Sequence, residues 1–319
     1  MTVEGQKKSQ TWRVGIVGLE SVGLFLLEQM SLNTNLQIVG AFEPDQKRRD
    51  LTSEQVVTFW DQPETAILSP ETDILVFAEG ASVELIAQGI LKGKRTVVGC
   101  PWSFKSNELQ QLWEAANSLK TLTTFAGFRR WASDFVGAYS AKSSGRIGKI
   151  NYAHLCCWEM SLATDSDSNT VNEQCFHWLD QLLLLVDSVP KQVFARRSPD
   201  LDQNLNREIF IYLEFSNGCV AQIDLRTQSR LAHRTGWMLE GSQGSYRNHR
   251  LYTTMPDGEI VDEPLSVPSV SGDRFAEELV AACSGKSSTL PPLTDAIRVV
   301  RLIEQIERSA VTGKVVEFD

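Results

Sequence analysis

Long apolar runs are missing from this chain of 319 residues, and no stretch approaches the ~20 apolar residues of a membrane span. Excess positive charge is missing too. Lys and Arg number 31 against 40 Asp and Glu, a formal net charge of −9, which argues against a nucleic-acid or anionic-membrane partner. Cysteine is sparse. Cys100, Cys156, Cys157, Cys175, Cys219 and Cys283 have neither metal-site spacing nor the density of a disulfide scaffold. They read as buried free thiols in a reducing compartment. The opening MTVEGQKKSQTW lacks the apolar core of a signal peptide, so the expectation is a cytoplasmic protein. Repeats and low-complexity tracts are absent. What remains is ordinary globular composition, 42% apolar and 22% charged, at a length that suits two domains.

The first part of the chain alternates apolar strands with helices. Strands are expected at 13–18, 36–42, 73–79, 95–101 and 121–127. Helices are expected at 21–31, 83–93 and 106–119, with a short polar one near 51–58. Continuous apolar strands between helices mean a parallel sheet covered on both faces. The pattern then changes. Helices at 133–143 and 172–188 flank a long strand at 149–160, and strands follow at 191–197, 208–216, 219–228 and 237–264. Asn217-Gly218 and Asp257-Gly258 are hairpin signals. Helices at 273–285 and 294–313 and a short strand at 314–318 close the chain. The expected fold class is therefore α/β: an N-terminal Rossmann-type parallel sheet in residues 1–124, and an α+β substrate and oligomerisation domain in 125–319. The latter is built on a large, mainly antiparallel sheet with one open face.

Gly18-Leu19-Glu20-Ser21-Val22-Gly23 stands between the first strand and the first helix, where a dinucleotide fingerprint Gly-x-Gly-x-x-Gly belongs. Its first and last glycines are present, and Glu20 replaces the middle one. That glycine lets backbone approach a pyrophosphate at the helix N-terminus. A glutamate there brings bulk and charge. It could point away, or it could cap the helix and stand in for the phosphate. Glu43 ends the second strand, near the expected ribose-binding acid, with Lys47, Arg48 and Arg49 a turn beyond. Ala78 and Glu79, ending the third strand, complete the candidate cofactor set. The expected cofactor is NAD or NADP, with NAD slightly preferred.

Taken in order, RVGIVG (13–18), GAFEPD (40–45), KGKRTVVGCP (92–101), SGRIGKI (144–150), CFHWLDQLLLLVDSVPKQVFA (175–195), YLEFSNGCVAQI (212–223) and LEGSQGSYR (239–247) resemble the glucose–fructose oxidoreductase, inositol dehydrogenase and rhizopine-catabolism (Gfo/Idh/MocA) family over roughly residues 12–318. There is a more distant similarity to cyanobacterial biliverdin reductase. The resemblance implies NAD(P)-dependent hydride transfer with a sugar, polyol or related small molecule, and tetrapyrroles are within range. It also implies a homodimer or homotetramer formed through the second sheet. The family's catalytic Lys, Asp and His fall on Cys100, Glu173 and His177. The histidine is kept, the carboxylate is one methylene longer and the lysine is lost. A thiol supplies no fixed positive charge to a developing alkoxide, so oxidation of sugars and polyols is not expected. Hydride reduction of a small or conjugated acceptor, with a near-neutral His177 as proton donor, is one reading. A catalytically silent binding, scaffold or sensor protein with weak or lost nucleotide binding is the other.

Several further residues remain open between site and core. Arg129 and Arg130 could meet an anionic substrate or pair with acids, and Asp180 reads as a structural partner. Trp102 and Phe104 could stack on a planar ligand. Trp158, Trp178 and Trp237 are expected to line the open face of the second sheet. His154 and Cys156 share a strand face but lack the further ligands of a zinc site.

Overall fold

The computed structural model describes residues 10–158, 170–197, 208–226, 234–267 and 273–318. The chain divides into two compact units, one of residues 1–128 with 271–297, the other of residues 129–270 with 298–319. The first unit thus recovers a late segment, where the sequence reading draws one boundary at 124/125.

The first unit begins with β1 (Trp12–Val17), α1 (Ser21–Ser31), β2 (Leu36–Phe42), α2 (Gln46–Thr52) and α3 (Pro63–Leu68). It continues with β3 (Ile74–Phe77), α4 (Val83–Leu91), β4 (Arg95–Val98), α5 (Ser106–Leu119) and β5 (Thr123–Phe125). Its strands are parallel in the order β2-β1-β3-β4-β5. All four residues of β3 are buried, because helices cover both faces and no position along a central strand is left for a polar side chain. The single short helix expected near 51–58 is instead α2 and α3. Asp45 caps α2 by accepting from the Lys47 N–H, and Pro63 starts α3.

The second unit holds α6 (Ser133–Ser143), β6 (Ile150–Trp158), α7 (Thr170–Val186), β7 (Pro190–Arg197), β8 (Glu208–Phe215) and β9 (Val220–Arg226). It continues through β10 (Arg234–Gly241), β11 (Gly244–Arg247), β12 (Arg250–Thr254) and β13 (Ile260–Pro264). After α8 (Arg274–Cys283), which groups with the first unit as do residues 293–297, α9 (Leu293–Thr312) leads to β14 (Val316–Glu317). The large sheet runs β13-β12-β11-β10-β6-β9-β8-β7-β14, with β6 and β9 parallel and the other neighbours antiparallel. This is the mixed, mainly antiparallel sheet that the sequence implies.

Alternation sorts its faces. Ile209, Ile211 and Leu213 of β8 and Ala221, Ile223 and Leu225 of β9 are buried, while the residues between them are half-buried on the opposite face. Helices α6 and α7 pack against the covered face. Trp178 of α7 meets Trp237 of β10 there edge to face, with ring centroids 6.4 Å apart. This corrects the expectation for both tryptophans. Trp237 pairs with Leu155, and that register turns it to the covered side. Trp158 does lie on the open side, half-buried, with the Arg226 guanidinium 4.7 Å from its ring.

Candidate functional site

In the first unit the chain leaves β1 at Val17 and turns through Gly18 (φ +90°), a conformation that favours glycine. A Cβ on Gly18 would come within 2.4 Å of the Glu79 carbonyl oxygen, and one on Gly23 within 2.0 Å of the Gly18 carbonyl oxygen. Both glycines are therefore required by the protein's own backbone. The hydrogen bond from Ala78 N–H to Val17 carbonyl (2.8 Å) continues the β3 pairing and sets Glu79 directly beside the turn.

The Glu79 carboxylate sits on the N-terminus of α1. It accepts from the Val22 N–H (2.5 Å), the Gly23 N–H (3.2 Å) and the Ser21 hydroxyl (3.2 Å). The first turn of α1 contains no acidic residue of its own. A carboxylate from another element thus satisfies orphan amides and meets the positive end of the helix dipole. Glu43 holds the turn that precedes α1. It is 1% exposed and accepts from the Leu19 N–H (2.7 Å), the Asp45 N–H (2.9 Å) and Arg48 (3.1 Å). Glu20, the residue that breaks the fingerprint, makes no cap; its half-exposed carboxylate faces Arg48 at 3.2 Å. Of the two alternatives for Glu20, the structure takes the one that points away. Burial opposes the charge of Arg48, but Glu20 and Glu43 outweigh it and raise its pKa.

Cys100 follows β4 as a thiol outside any disulfide, 5% exposed, and its carbonyl accepts from the Ser103 hydroxyl (2.7 Å) in a short turn opened by Pro101. Trp102 and Phe104 flank that turn, half-buried.

In the second unit His177 lies on α7 and is 1% exposed. Burial, with the nearby Arg129 charge, lowers its pKa to about 3. The imidazole is therefore neutral near pH 7, which corrects the near-neutral titration expected from its ordinary value. Glu173 occupies α7 four residues earlier, and its side chain lies outside the described residues. The neighbouring polar groups of α7 are engaged within the fold. Asp180 holds Arg130 in a two-pronged pair at 2.7 and 2.6 Å, both side chains being largely buried. Gln181 donates to the Arg129 carbonyl (2.7 Å) and accepts from the Trp237 indole N–H (2.8 Å). The Arg129 guanidinium lies 5.3 Å from the Trp178 ring. Arg130 thus meets a buried acid of its own unit.

The roles of Arg48 and Gln181 were missed in the sequence. In the sequence Glu79 reads only as a cofactor contact. Its partners Ser21, Val22 and Gly23 lie 56–58 residues away, and no local pattern announces a cap delivered from so far. Among the described residues, no three His, Cys, Asp or Glu side chains gather as metal ligands, and no helix is long and apolar enough to cross a membrane.

The C-terminal alpha/beta domain of the Gfo/Idh/MocA oxidoreductase family matches residues 143–318, and the chain belongs to that family. A search of curated proteins finds no match. Among solved structures, an NAD-binding protein from Listeria innocua is similar over 97% of both chains, at 20% identity and a TM-score of 0.84. An oxidoreductase from Agrobacterium radiobacter, in complex with NAD+, L-tartaric acid and magnesium, is 14% identical over 97% of this chain and 98% of its own (TM-score 0.81). GenD2 from gentamicin A biosynthesis, in complex with NAD, is 17% identical over 100% of this chain and 99% of its own (TM-score 0.81). Fold and family are those of an NAD(P)-binding oxidoreductase scaffold.

Proposed function

We propose that this chain is a catalytically silent member of its family, a binding or sensing protein built on an oxidoreductase scaffold. The observation that carries this reading is the burial of the retained histidine within α7's packing, where it is 1% exposed. His177 is buried and neutral, with its pKa lowered to about 3. A group that resists protonation at pH 7 is a poor proton donor to a reduced product. Cys100, where the resemblance places a lysine, is a buried thiol and brings no fixed positive charge.

The competing reading is NAD(P)H-dependent reduction of a small or conjugated acceptor, and family membership favours it. None of the relatives named above is a biliverdin reductase, so a tetrapyrrole acceptor rests on the sequence resemblance alone. A single assay separates the two readings. Nicotinamide absorbance is followed with NADH and NADPH against a panel of sugars, polyols, α-keto acids and conjugated tetrapyrroles. The silent reading expects no turnover above background. Turnover that falls about 10²-fold in His177→Ala would establish the reductase instead.

The open face of the large sheet supports self-association. Tyr152, Trp158, Phe210 and Tyr212 are half-buried on it, and a broad aromatic sheet face is a natural contact surface. A homodimer or larger assembly is expected at micromolar concentration. Light scattering that stays at the monomer mass of 35.6 kDa across a concentration series would remove it.

A further inference from the structure

A diphosphate at a dinucleotide turn uses the backbone amides that open the first helix. In this chain those amides already hold an anion. Val22 and Gly23 donate to Glu79, and Leu19 donates to Glu43. The Ser21 hydroxyl also turns to Glu79. A phosphate and the Glu79 carboxylate cannot take the same N–H groups at once.

Charge works in the same direction. Glu20, Glu43 and Glu79 bring three carboxylates to the turn, and Arg48 pairs with two of them. A doubly negative ligand entering there meets like charge at short range. The two glycines offer no counter-argument. Their missing Cβ atoms would strike the Glu79 and Gly18 backbone, so the fold demands them with or without a ligand. The residues present therefore do not fit NAD or NADP, despite the strand–turn–helix context.

Building on the reading of a silent family member, we propose that Glu79 is a built-in replacement for the dinucleotide diphosphate. It closes the anion seat of α1 and makes the folded chain independent of nicotinamide nucleotide. The obstacle is thus Glu79, and Glu20 is secondary.

The test is calorimetric titration of the full chain with NADH, NADPH and inorganic pyrophosphate. Wild type is compared with Glu79→Ser, Glu79→Gln and the double variant Glu79→Ser with Glu20→Gly, and circular dichroism verifies that each is folded. Wild type should show no binding up to about 1 mM, and Glu79→Ser should gain at least about tenfold for pyrophosphate or NADH, with a further gain in the double variant. Glu79→Gln, which keeps the shape and removes the charge, should fall between. Micromolar binding of NADH or NADPH to wild type overturns the proposal. So does the absence of any gain in every folded variant. Wild-type nucleotide binding without turnover would sink this inference and leave the silent reading standing, whereas turnover would sink both.

Discussion

Two helices, α1 in the first unit and α7 in the second, stand where the family resemblance puts cofactor and catalysis, and each has its polar groups taken up internally by a different means. On α1 the groups are the Val22 and Gly23 backbone amides, met by the Glu79 carboxylate from just beyond β3. On α7 they are side chains, met by a buried guanidinium, a backbone carbonyl and an indole. The difference lies in how readily each could be undone. The Glu79 contact is partly exposed, so removing the carboxylate would return α1 to solvent. The Asp180–Arg130 pair is largely buried, so removing one member leaves a charge stranded in the interior. The first unit keeps a potential anion seat under a removable plug, while the second has turned its helix into core.

The largest effect is therefore expected at Asp180. Asp180→Ala should destabilise the second unit by about 3–5 kcal/mol, the usual result of breaking a buried pair from one side. Urea denaturation followed by tryptophan fluorescence measures it. A loss comparable to that of a surface pair would mean that Arg130 finds water.

Next comes a pH effect at His177. Its folded pKa of about 3 lies below the ordinary unfolded value of 6.5. Below pH 6.5 the unfolded chain takes up a proton at this site and the folded chain does not. Stability is thus unaffected by this group above pH 6.5. It falls as pH falls, by at most about 1.4 kcal/mol per pH unit, until the folded value near 3 is reached. Relative to wild type, His177→Gln should flatten the stability profile between pH 6 and 4 by about 2 kcal/mol. Parallel profiles would show that the histidine protonates easily in the folded state.

A smaller loss is expected at the cap. Glu79→Ala should cost about 1–2 kcal/mol at low salt, since it removes an anion and two amide bonds from a helix N-terminus. The smallest effect belongs to Glu20. Its exposed pair with Arg48 should be worth under about 0.5 kcal/mol, so Glu20→Ala should leave the midpoint nearly unchanged. A large loss there would move the cap from Glu79 to Glu20 and reverse the assignment at the turn.

How much could be read beforehand follows from the range of the interactions. Buried runs such as ILVF in β3 and alternating ones such as EIFIYLEF in β8 announce a doubly covered sheet and a singly covered one. The Asn217-Gly218 turn between β8 and β9 was legible for the same local reason. Trp237 was not. Periodicity shows which residues of a strand share a side, and only the pairing with Leu155 shows which side is covered. The glycine turn was legible as a motif, and its irregular Glu20 stands out because it lies within the motif. Glu79 reaches the turn only because β3 lies beside β1 in the sheet, a fact of topology. The depressed titration of His177 likewise comes from the packing around α7, and a residue's identity alone carries no information about its burial.

The account depends most on a carboxylate that keeps the α1 amides occupied in the absence of any ligand. Residue-resolved hydrogen exchange on the nucleotide-free protein tests that directly at Val22 and Gly23. Both amides should be protected in wild type, and should exchange about tenfold faster in Glu79→Ala, with Leu26 and Leu27 further along α1 unchanged. Equal exchange at Val22 and Gly23 in the two proteins would show that Glu79 does not hold these amides in solution, and the closed turn would have to be abandoned.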